Sequence, residues 1–156
     1  MSKKLHNRAS ALPTLLWLML LALLPAQLSA RDFQYTYEGR TLTYTVIDEY
    51  KKTVKTREGT EFSPGNNVFS GDLIVPSKVF YYSEEYTVVG IGDFSFMTQS
   101  GMRSVTIPGS VTYIGGNAFY GCNGLASVSI PASVNSIGRS AFESCSLMRS
   151  FRIEDG

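Results

Sequence analysis

The chain has 156 residues, of which 14 are Lys or Arg, 13 are Asp or Glu and one is His, giving a formal net charge of +1. Phosphate binding needs a concentrated basic patch, and the basic residues here are scattered, so nucleic acid is not an expected partner. The single histidine, His6, lies close to the N-terminus, which limits the catalytic and metal-binding arrangements open to the rest of the chain.

The first 30 residues have the organisation of a secretory signal peptide. Three basic residues precede an uninterrupted apolar run from Leu15 to Leu24, and the small residues of Leu28-Ser29-Ala30 suit cleavage after Ala30. An uncleaved membrane anchor is the alternative, but the run is shorter than the roughly 20 apolar residues that a spanning helix needs. We therefore predict a signal peptide over residues 1–30 and no membrane span after its removal. The expected location is secreted, extracellular or at the cell surface, with the periplasm also open.

Cleavage at that point removes the only histidine and the only tryptophan, Trp17. Residues 31–156 then hold 11 Lys and Arg against 13 Asp and Glu, a net charge of −2. Without an imidazole group, this part of the chain alone can form neither a Ser-His-Asp triad, nor a Cys-His dyad, nor a His-ligated zinc site. We therefore expect a protein that is not an enzyme and that has no catalytic, metal or cofactor site.

Residues 31–70 are predicted to form an antiparallel β-hairpin cap at the N-terminal edge of the domain that follows. On either side of a turn signal at Gly39-Arg40, apolar residues alternate with polar ones, so residues 33–47 are predicted to form a β-hairpin. A third strand is expected around residues 52–57. The segment Ser63-Pro64-Gly65-Asn66-Asn67 has the composition of a loop.

Residues 71–156 contain an internal repeat. Three sets of apolar residues recur at a step of 23 residues, namely Ile91, Ile114 and Ile137, then Phe96, Phe119 and Phe142, and then Ile107, Ile130 and Ile153. A fixed apolar skeleton with variable polar residues is typical of a solenoid, in which each unit packs on its neighbours. Such proteins usually present a surface instead of carrying out chemistry.

A recognisable pattern spans residues 104–122, and the second unit, Ile114 to Ser136, matches it most closely. Residues 104–111, Ser-Val-Thr-Ile-Pro-Gly-Ser-Val, are followed by Ile114-Gly115 and then by Ala118-Phe119-Tyr120-Gly121-Cys122. This combination resembles the BspA-like leucine-rich repeats of bacterial surface proteins, and the resemblance covers residues 71–156. It implies adhesion or protein–protein contact at the bacterial surface, with a host matrix protein or another surface protein as the ligand. The neighbouring repeats differ from this pattern at five positions. The first repeat has Ser95, Met97 and Gln99 where alanine, tyrosine and cysteine are expected. The third has Leu147 where glycine is expected and Glu154 where proline is expected.

The predicted fold class is a β-rich repeat solenoid, a short leucine-rich-repeat array of parallel strands with short helical or 3-10 turns. Val105 and Ile107 alternate with Ser104 and Thr106, the period-two pattern of a strand with one buried face. Stacked strands lie roughly 4.8 Å apart, so equivalent apolar side chains are expected to form continuous ladders. The segment 116–122 is too short for more than a turn or two of helix and is expected to return the chain along the opposite side.

The first repeat is interrupted. Residues 73–79 align with residues 105–111 but lie 32 positions earlier, so about nine extra residues are inserted. We predict that they form a hairpin at residues 80–88 with an exposed acidic tip at Glu84 and Glu85. Glycoside hydrolysis needs at least two carboxylates, so this pair could in principle serve as its acid and base. Adjacent residues of a strand point to opposite faces and adjacent residues of a turn are solvated, so the two groups would not reach the same glycosidic bond. A charged turn is therefore favoured.

Cys122 and Cys145 are also one period apart and are expected to be neighbours in a stacked array. Their Cα atoms would then lie roughly 5 Å apart, a separation that a disulfide can span. Equivalent side chains of a ladder point in parallel, however, and cysteine is often a small buried apolar residue. Two buried free thiols are therefore favoured over a disulfide, and two thiols alone make half a zinc site.

The outward positions of the predicted strands offer a surface for a protein ligand. They form one column of serines and a second column that ends in arginine, with two further arginines at the strand entrances. The candidate protein-binding residues are Arg103, Ser104, Thr106, Ser127, Ser129, Arg149, Ser150 and Arg152. Repeat proteins use such open faces for recognition, but ordinary solvated strand residues would give the same pattern.

The last repeat is predicted to be incomplete, because the sequence holds only one strand of it, at residues 150–156. An uncovered strand edge is prone to pairing, so we expect association with another copy through this C-terminal edge. The expected function is that of a secreted or cell-surface binding protein that mediates adhesion or protein–protein interaction. One alternative is a carbohydrate-binding or glycan-processing accessory protein that uses the seven tyrosines from Tyr35 to Tyr86, although cross-strand aromatic pairs ordinarily stabilise sheets. The other is a truncated array without independent activity.

Overall fold

The structure, a computed structural model of the chain, describes residues 32–66 and 69–154. The predicted signal peptide, residues 1–30, lies outside the described residues. Within the described ranges the chain forms eleven β-strands and turns, without a helix, so none of these residues belongs to a helix that could cross a membrane. The strands are β1 (Asp32–Tyr37), β2 (Arg40–Asp48), β3 (Thr53–Thr56), β4 (Ser70–Ile74), β5 (Lys78–Tyr81), β6 (Glu84–Ile91), β7 (Gly101–Thr106), β8 (Tyr113–Ile114), β9 (Ser127–Ile130), β10 (Ser136–Ile137) and β11 (Ser150–Ile153).

These strands form two sheets. In the larger sheet the order is β1-β2-β3-β6-β8-β10, with β5 paired to β6, and in the smaller sheet it is β4-β7-β9-β11. The strands contributed by successive repeats are parallel in both sheets. Buried side chains of both sheets, such as Ile114 and Val128, belong to one hydrophobic core. The two sheets therefore share a single interior.

Equivalent residues of successive repeats lie directly beside one another. In the larger sheet Ile91 pairs with Ile114, and Ile114 pairs with Ile137. In the smaller sheet Ile130 pairs with Ile153. Because adjacent strands are only about 4.8 Å apart, each apolar side chain packs against its own copy in the next repeat. The predicted ladders of equivalent side chains are confirmed at these positions.

A stack of phenylalanine rings runs through the core. The ring centroids of Phe96 and Phe119 are 5.3 Å apart with an interplanar angle of 12°, and those of Phe119 and Phe142 are 5.2 Å apart at 4°. Phe96 and Phe119 are fully buried, whereas Phe142 is partly buried. Stacked aromatic pairs add about 0.5–1.5 kcal/mol beyond the burial of their surface, so this stack holds the repeats together.

The segments that return the chain from one sheet to the other are turns, so the predicted helical or 3-10 conformation is wrong. In a helix the backbone N–H groups bond within the segment. Here the Phe96 N–H donates to the Ala118 carbonyl at 2.8 Å, and the Phe119 N–H donates to the Ala141 carbonyl at 2.8 Å. Asn117, with a φ of 52°, also interrupts any right-handed helical run. Hydrogen bonds between repeats thus alternate with single-turn bonds within them, such as that from the Tyr120 N–H to the Asn117 carbonyl at 3.1 Å, and no helix forms in these segments.

The Ile-Gly pair of each repeat marks a close approach of successive repeats. A Cβ atom added to Gly115 would lie 2.6 Å from the backbone nitrogen of Asp93, and one added to Gly138 would lie 2.4 Å from that of Gly116. No ordinary Cβ atom lies so close to backbone, so only glycine allows the repeats to stack at this spacing.

The N-terminal strands continue the larger sheet. β1 and β2 form an antiparallel hairpin, and β3 pairs antiparallel with β2. β3 also pairs in parallel with β6, where Val54 lies beside Val88. The hairpin predicted at residues 33–47 corresponds to β1 and β2, and the strand predicted at residues 52–57 corresponds to β3. The described residues accordingly belong to one compact unit.

The insertion in the first repeat is an antiparallel hairpin of β5 and β6, joined by a two-residue turn at residues 82–83. The predicted acidic tip is wrong, because Glu84 and Glu85 both lie in β6. Each forms an ion pair with a different lysine, Glu84 with Lys52 and Glu85 with Lys78. Successive strand residues face opposite sides of a sheet, which separates the two carboxylates.

A buried polar network joins the N-terminal strands to the first repeat. The Ser95 hydroxyl donates to the Thr56 hydroxyl oxygen at 2.7 Å, and the Asn66 side-chain amide donates to the Ser95 oxygen at 3.0 Å. Thr56 also accepts a hydrogen bond from the Gly92 N–H at 3.0 Å, and Asn66 accepts one from the Thr43 N–H at 2.7 Å. Ser95 stands where the later repeats have alanine, so this departure from the pattern supplies a partner for the N-terminal segment.

Gln99 makes a second connection of the same kind. Its side-chain oxygen accepts a hydrogen bond from the Phe69 N–H at 2.6 Å, and the side chain is buried. The later repeats have Cys122 and Cys145 at this position. The first repeat therefore differs from the others where it contacts the segment that precedes it.

β11 lies at the edge of the smaller sheet. The Phe151 side chain is 48% exposed and that of Ile153 is 64% exposed, whereas Val128 and Ile130, one repeat earlier, are each 2% exposed. Strands inside the stack are covered by a neighbour on both sides, and β11 has a neighbour on one side only within the described residues.

Candidate binding faces

The smaller sheet presents two columns of outward side chains. Its register places Asp72, Ser104, Ser127 and Ser150 in one column, and Ile74, Thr106, Ser129 and Arg152 in the other. All of these side chains are half-buried or exposed. Stacking of the repeats thus gathers residues that are 23 or more positions apart in the sequence.

An open groove of about 450 Å³ lies on this face. Six of the residues predicted from the sequence line it, and we call them the serine face: Ser104, Thr106, Ser127, Ser129, Ser150 and Arg152. Their side chains are small except for the arginine, so the sheet is not covered by its own side chains. The volume falls within the range of about 300–1,000 Å³ that is usual for ligand sites.

The other two predicted residues, Arg103 and Arg149, belong to a neighbouring column and do not line the groove. Ala126 separates them, because its N–H donates to the Arg103 carbonyl at 2.9 Å and its carbonyl accepts from the Arg149 N–H at 3.0 Å. Both arginine side chains are exposed. The Arg103 guanidinium lies 3.8 Å from the carboxylate of Asp72, an exposed pair that contributes little to stability.

Two carboxylates beside the serine face were missed by the sequence reasoning. Asp72 accepts a hydrogen bond from the Ser104 hydroxyl at 2.8 Å, and Glu154 accepts one from the Ser129 hydroxyl. A signal for Asp72 was present, since the alignment of residues 73–79 with residues 105–111 places residue 72 level with Ser104. The face therefore carries charges of both signs.

Cys122 and Cys145 are free thiols. Cys122 is buried and donates to the Phe96 carbonyl at 3.1 Å, and the half-buried Cys145 donates to the Phe119 carbonyl at 3.2 Å. Each thiol is thus directed at the backbone of the preceding repeat. Burial raises the pKa of Cys122 to about 12 and also raises the pKa of Cys145. Protonated thiols are poor nucleophiles and poor metal ligands, so the raised pKa disfavours reactivity at these side chains.

Residues 32–66 and 69–154 contain no group of three or more His, Cys, Asp or Glu side chains placed to hold a metal ion.

A second groove, of about 440 Å³, lies between the β2–β3 turn and the β5–β6 hairpin. We call it the tyrosine groove, and its lining residues are Glu49, Lys52, Tyr81, Tyr82, Glu84 and Tyr86. The Lys52 ammonium lies 5.2 Å from the centroid of the Tyr86 ring and forms an ion pair with Glu84. The hydrogen bond to Glu84 raises the pKa of Lys52. The tyrosines and Glu84 stand out separately in the sequence, whereas Lys52 and Glu49 join them only through the fold.

A family model described as a BspA type leucine rich repeat region, with six copies, matches residues 74–156. The chain belongs to this BspA-type leucine-rich repeat family. The resemblance seen in residues 71–156 is thereby confirmed, and the BspA-type repeats account for more than half of the chain.

Two solved bacterial structures are similar to this BspA-type chain. A leucine rich cell surface protein from Faecalibacterium prausnitzii is 27% identical, with a TM-score of 0.59, over 78% of this chain and 31% of that protein. A leucine-rich repeat protein from Bacteroides ovatus is 30% identical, with a TM-score of 0.59, over 75% of this chain and 29% of that protein. The chain thus spans about a third of the length of these two proteins. No curated protein matches it.

Proposed function

We propose that the chain is a non-enzymatic protein-binding module and that its partner docks on the serine face. The observation that carries this proposal is the placement of small hydroxyl side chains, in register, over an open groove of about 450 Å³. A hydroxyl group can both donate and accept a hydrogen bond, so it can pair with either backbone group of a partner. Repeated open faces are the surfaces that repeat proteins use for recognition.

The charges around the serine face favour a protein over a polyanion. The Arg103 guanidinium lies 3.8 Å from the carboxylate of Asp72, and Asp72 and Glu154 each accept a hydrogen bond from a serine of the face. A polyanion would be repelled by the two acids, whereas a protein surface can present complementary charges to both signs.

The proposed location is the bacterial surface, reached through export. The signal-peptide pattern of residues 1–30 supports export, and the similar protein from Faecalibacterium prausnitzii is described as a cell surface protein. At the surface the serine face would meet other surface proteins or host matrix proteins, so adhesion is the finer function that we propose. The absence of a catalytic role is also part of the proposal, and it rests on a sequence whose one histidine is His6.

We further propose that β1–β3 act as the N-terminal cap of a short solenoid. The pairing of β3 with β6 covers an edge of the larger sheet that would otherwise present unpaired backbone groups. At the smaller sheet, Arg40 of β2 donates to the Ser70 carbonyl of β4 at 3.0 Å and lies 5.8 Å from the centroid of the Phe69 ring. The cap therefore contacts both sheets.

The experiment compares the same substitution on the two sheets. Ser127 lies in the middle of the serine face, whereas Ser136 is an exposed serine in β10 of the larger sheet. Binding of the purified protein to matrix glycoproteins and to surface proteins would be measured by biolayer interferometry. Ser127→Arg places a long charged side chain in the groove and is expected to weaken binding by about tenfold or more, and Ser136→Arg is expected to leave it unchanged.

Binding that survives Ser127→Arg would place the partner elsewhere on the molecule. Equal loss in both variants would point to a general effect on folding, which circular dichroism would detect. Absence of binding to every protein tested would contradict the protein-binding function, and turnover of peptide or glycan substrates would contradict its non-enzymatic character.

A further inference from the structure

We infer that the tyrosine groove is a second binding site and that it takes a neutral oligosaccharide. This site is separate from the serine face, because its residues come from the β2–β3 turn and the β5–β6 hairpin of the larger sheet. Its volume of about 440 Å³ is that of a small-molecule site.

The aromatic faces suit the apolar side of a sugar ring. Tyr82 is 86% exposed, and its ring centroid lies 4.5 Å from that of Tyr81 with an interplanar angle of 50°. Tyr81 in turn stacks on the buried Phe33, with centroids 4.5 Å apart. The supported ring and the exposed ring therefore form an angled surface. The negative face of an aromatic ring attracts C–H groups, and a sugar ring presents a row of them.

The polar residues of the groove suit the hydroxyl groups of the same ligand. Lys52 and Glu84 form an ion pair at the rim, and Glu49 lies beside them. An ion pair offers donors and acceptors side by side, so adjacent hydroxyl groups of a sugar can bond to both partners.

The charges of the groove disfavour charged ligands. Two glutamates and one lysine give it a net negative charge, which repels phosphate and other anions. A cation would compete with Lys52, which already lies 5.2 Å from the Tyr86 ring centroid. A neutral ligand rich in hydroxyl groups meets neither obstacle.

Two residues of the groove occupy turn positions that ordinarily favour glycine or asparagine. The φ angle is 48° at Tyr82 and 52° at Lys52, both in the left-handed region. A bulky residue is strained there, and because the two-residue turn at residues 82–83 imposes this conformation, the turn itself would favour glycine or asparagine over tyrosine. At Tyr82 the strained conformation also holds an exposed aromatic ring over the groove, which folding alone does not require.

The test uses the purified protein with maltohexaose, cellohexaose, xylohexaose and chitohexaose as probes. Saturation-transfer NMR detects binding at millimolar concentration, and titration calorimetry gives the affinity. We expect at least one probe to bind. Tyr82→Asn is expected to weaken that binding by about tenfold, the loss of one stacking contact, while it raises the melting temperature because asparagine tolerates the left-handed turn.

The control is Tyr50→Asn, since Tyr50 is fully exposed in the same β2–β3 turn but does not line the groove. The Tyr50→Asn variant is expected to bind the probe with unchanged affinity. The Ser127→Arg variant, altered on the serine face, is also expected to bind it with unchanged affinity. The inference is overturned if no probe binds, if binding survives Tyr82→Asn, or if tetralysine binds to the groove in place of the oligosaccharides.

Discussion

The hydroxyl oxygens of Ser95 and Thr56 lie 2.7 Å apart in the core, and this hydrogen bond links the first repeat to β3, 39 positions earlier in the chain. Ser95 is the residue at which the first repeat departs from the alanine of the other two. The departure is therefore a structural requirement of the junction between the N-terminal strands and the repeats.

Restoring the repeat pattern with Ser95→Ala should destabilise the protein by about 1–3 kcal/mol, because the Asn66 amide loses its buried acceptor and Thr56 loses a donor. Urea unfolding measures the change. Ser129→Ala is the matched control, since that hydroxyl is on the surface, and it should alter stability by less than about 0.5 kcal/mol. Equal stability of the two variants would contradict the role of the network.

Truncation of the central ring of the phenylalanine stack should be costly. Phe119 is fully buried between Phe96 and Phe142, so Phe119→Ala is expected to cost about 3–5 kcal/mol in urea unfolding. Phe142→Ala should cost less, because that ring is only partly buried. A larger loss from Phe142→Ala would mean that the ring packs more deeply than the structure indicates.

The Tyr44 hydroxyl is buried, and it has no hydrogen-bond partner among the described residues. Burial, with a smaller contribution from Tyr35, raises the pKa of Tyr44. Removal of an unpaired buried hydroxyl relieves a desolvation penalty, so Tyr44→Phe should leave stability unchanged or raise it by about 1 kcal/mol. A loss of stability in the thermal or urea transition would reveal a hydrogen bond, for example to a water molecule.

The buried thiol of Cys122 predicts a loss of stability at alkaline pH. Its pKa is raised to about 12 by burial, whereas an ordinary thiol titrates near 9.0, so the unfolded state loses this proton first. The stabilising contribution is complete below about pH 9 and falls by up to about 1.4 kcal/mol per pH unit as the pH rises towards 12.

Urea unfolding at pH 8 and pH 10 would test this for the wild type and for Cys122→Ala. Tyr44 contributes a loss in the same direction in both proteins, so the comparison isolates the thiol. The decline between the two pH values should be smaller in Cys122→Ala. Parallel declines would show that Cys122 does not control the alkaline transition.

The exposed strand β11 predicts self-association of this chain. Ile153 is 64% exposed on an edge strand, and such edges pair readily with one another. The purified protein is expected to elute from gel filtration as a species larger than a monomer, and Ile153→Lys is expected to shift it towards the monomer. Ile47→Lys, in β2, is the control because Ile47 is similarly exposed at 48% but lies inside its sheet. Elution of the unchanged chain as a monomer would contradict the prediction.

The repeat period alone determined how the array stacks. Ile91, Ile114 and Ile137 recur at a constant step, and residues at a constant step in a stack of parallel strands must lie beside one another. The alternation of polar and apolar residues within each strand likewise assigned Ser104, Ser127 and Ser150 to the outer face of the smaller sheet. Both inferences depend on local periodicity, which a sequence displays directly.

Tertiary structure decided what periodicity does not encode. The return segments lack helix because the N–H groups of Phe96 and Phe119 find acceptors in the following repeat, a choice that no local pattern specifies. Lys52 reaches Glu84 across 32 positions, and Ser95 reaches Thr56 across 39, because β3 happens to pair with β6. Contacts between segments that do not repeat depend on the packing of the whole chain, and for that reason only the folded structure shows them.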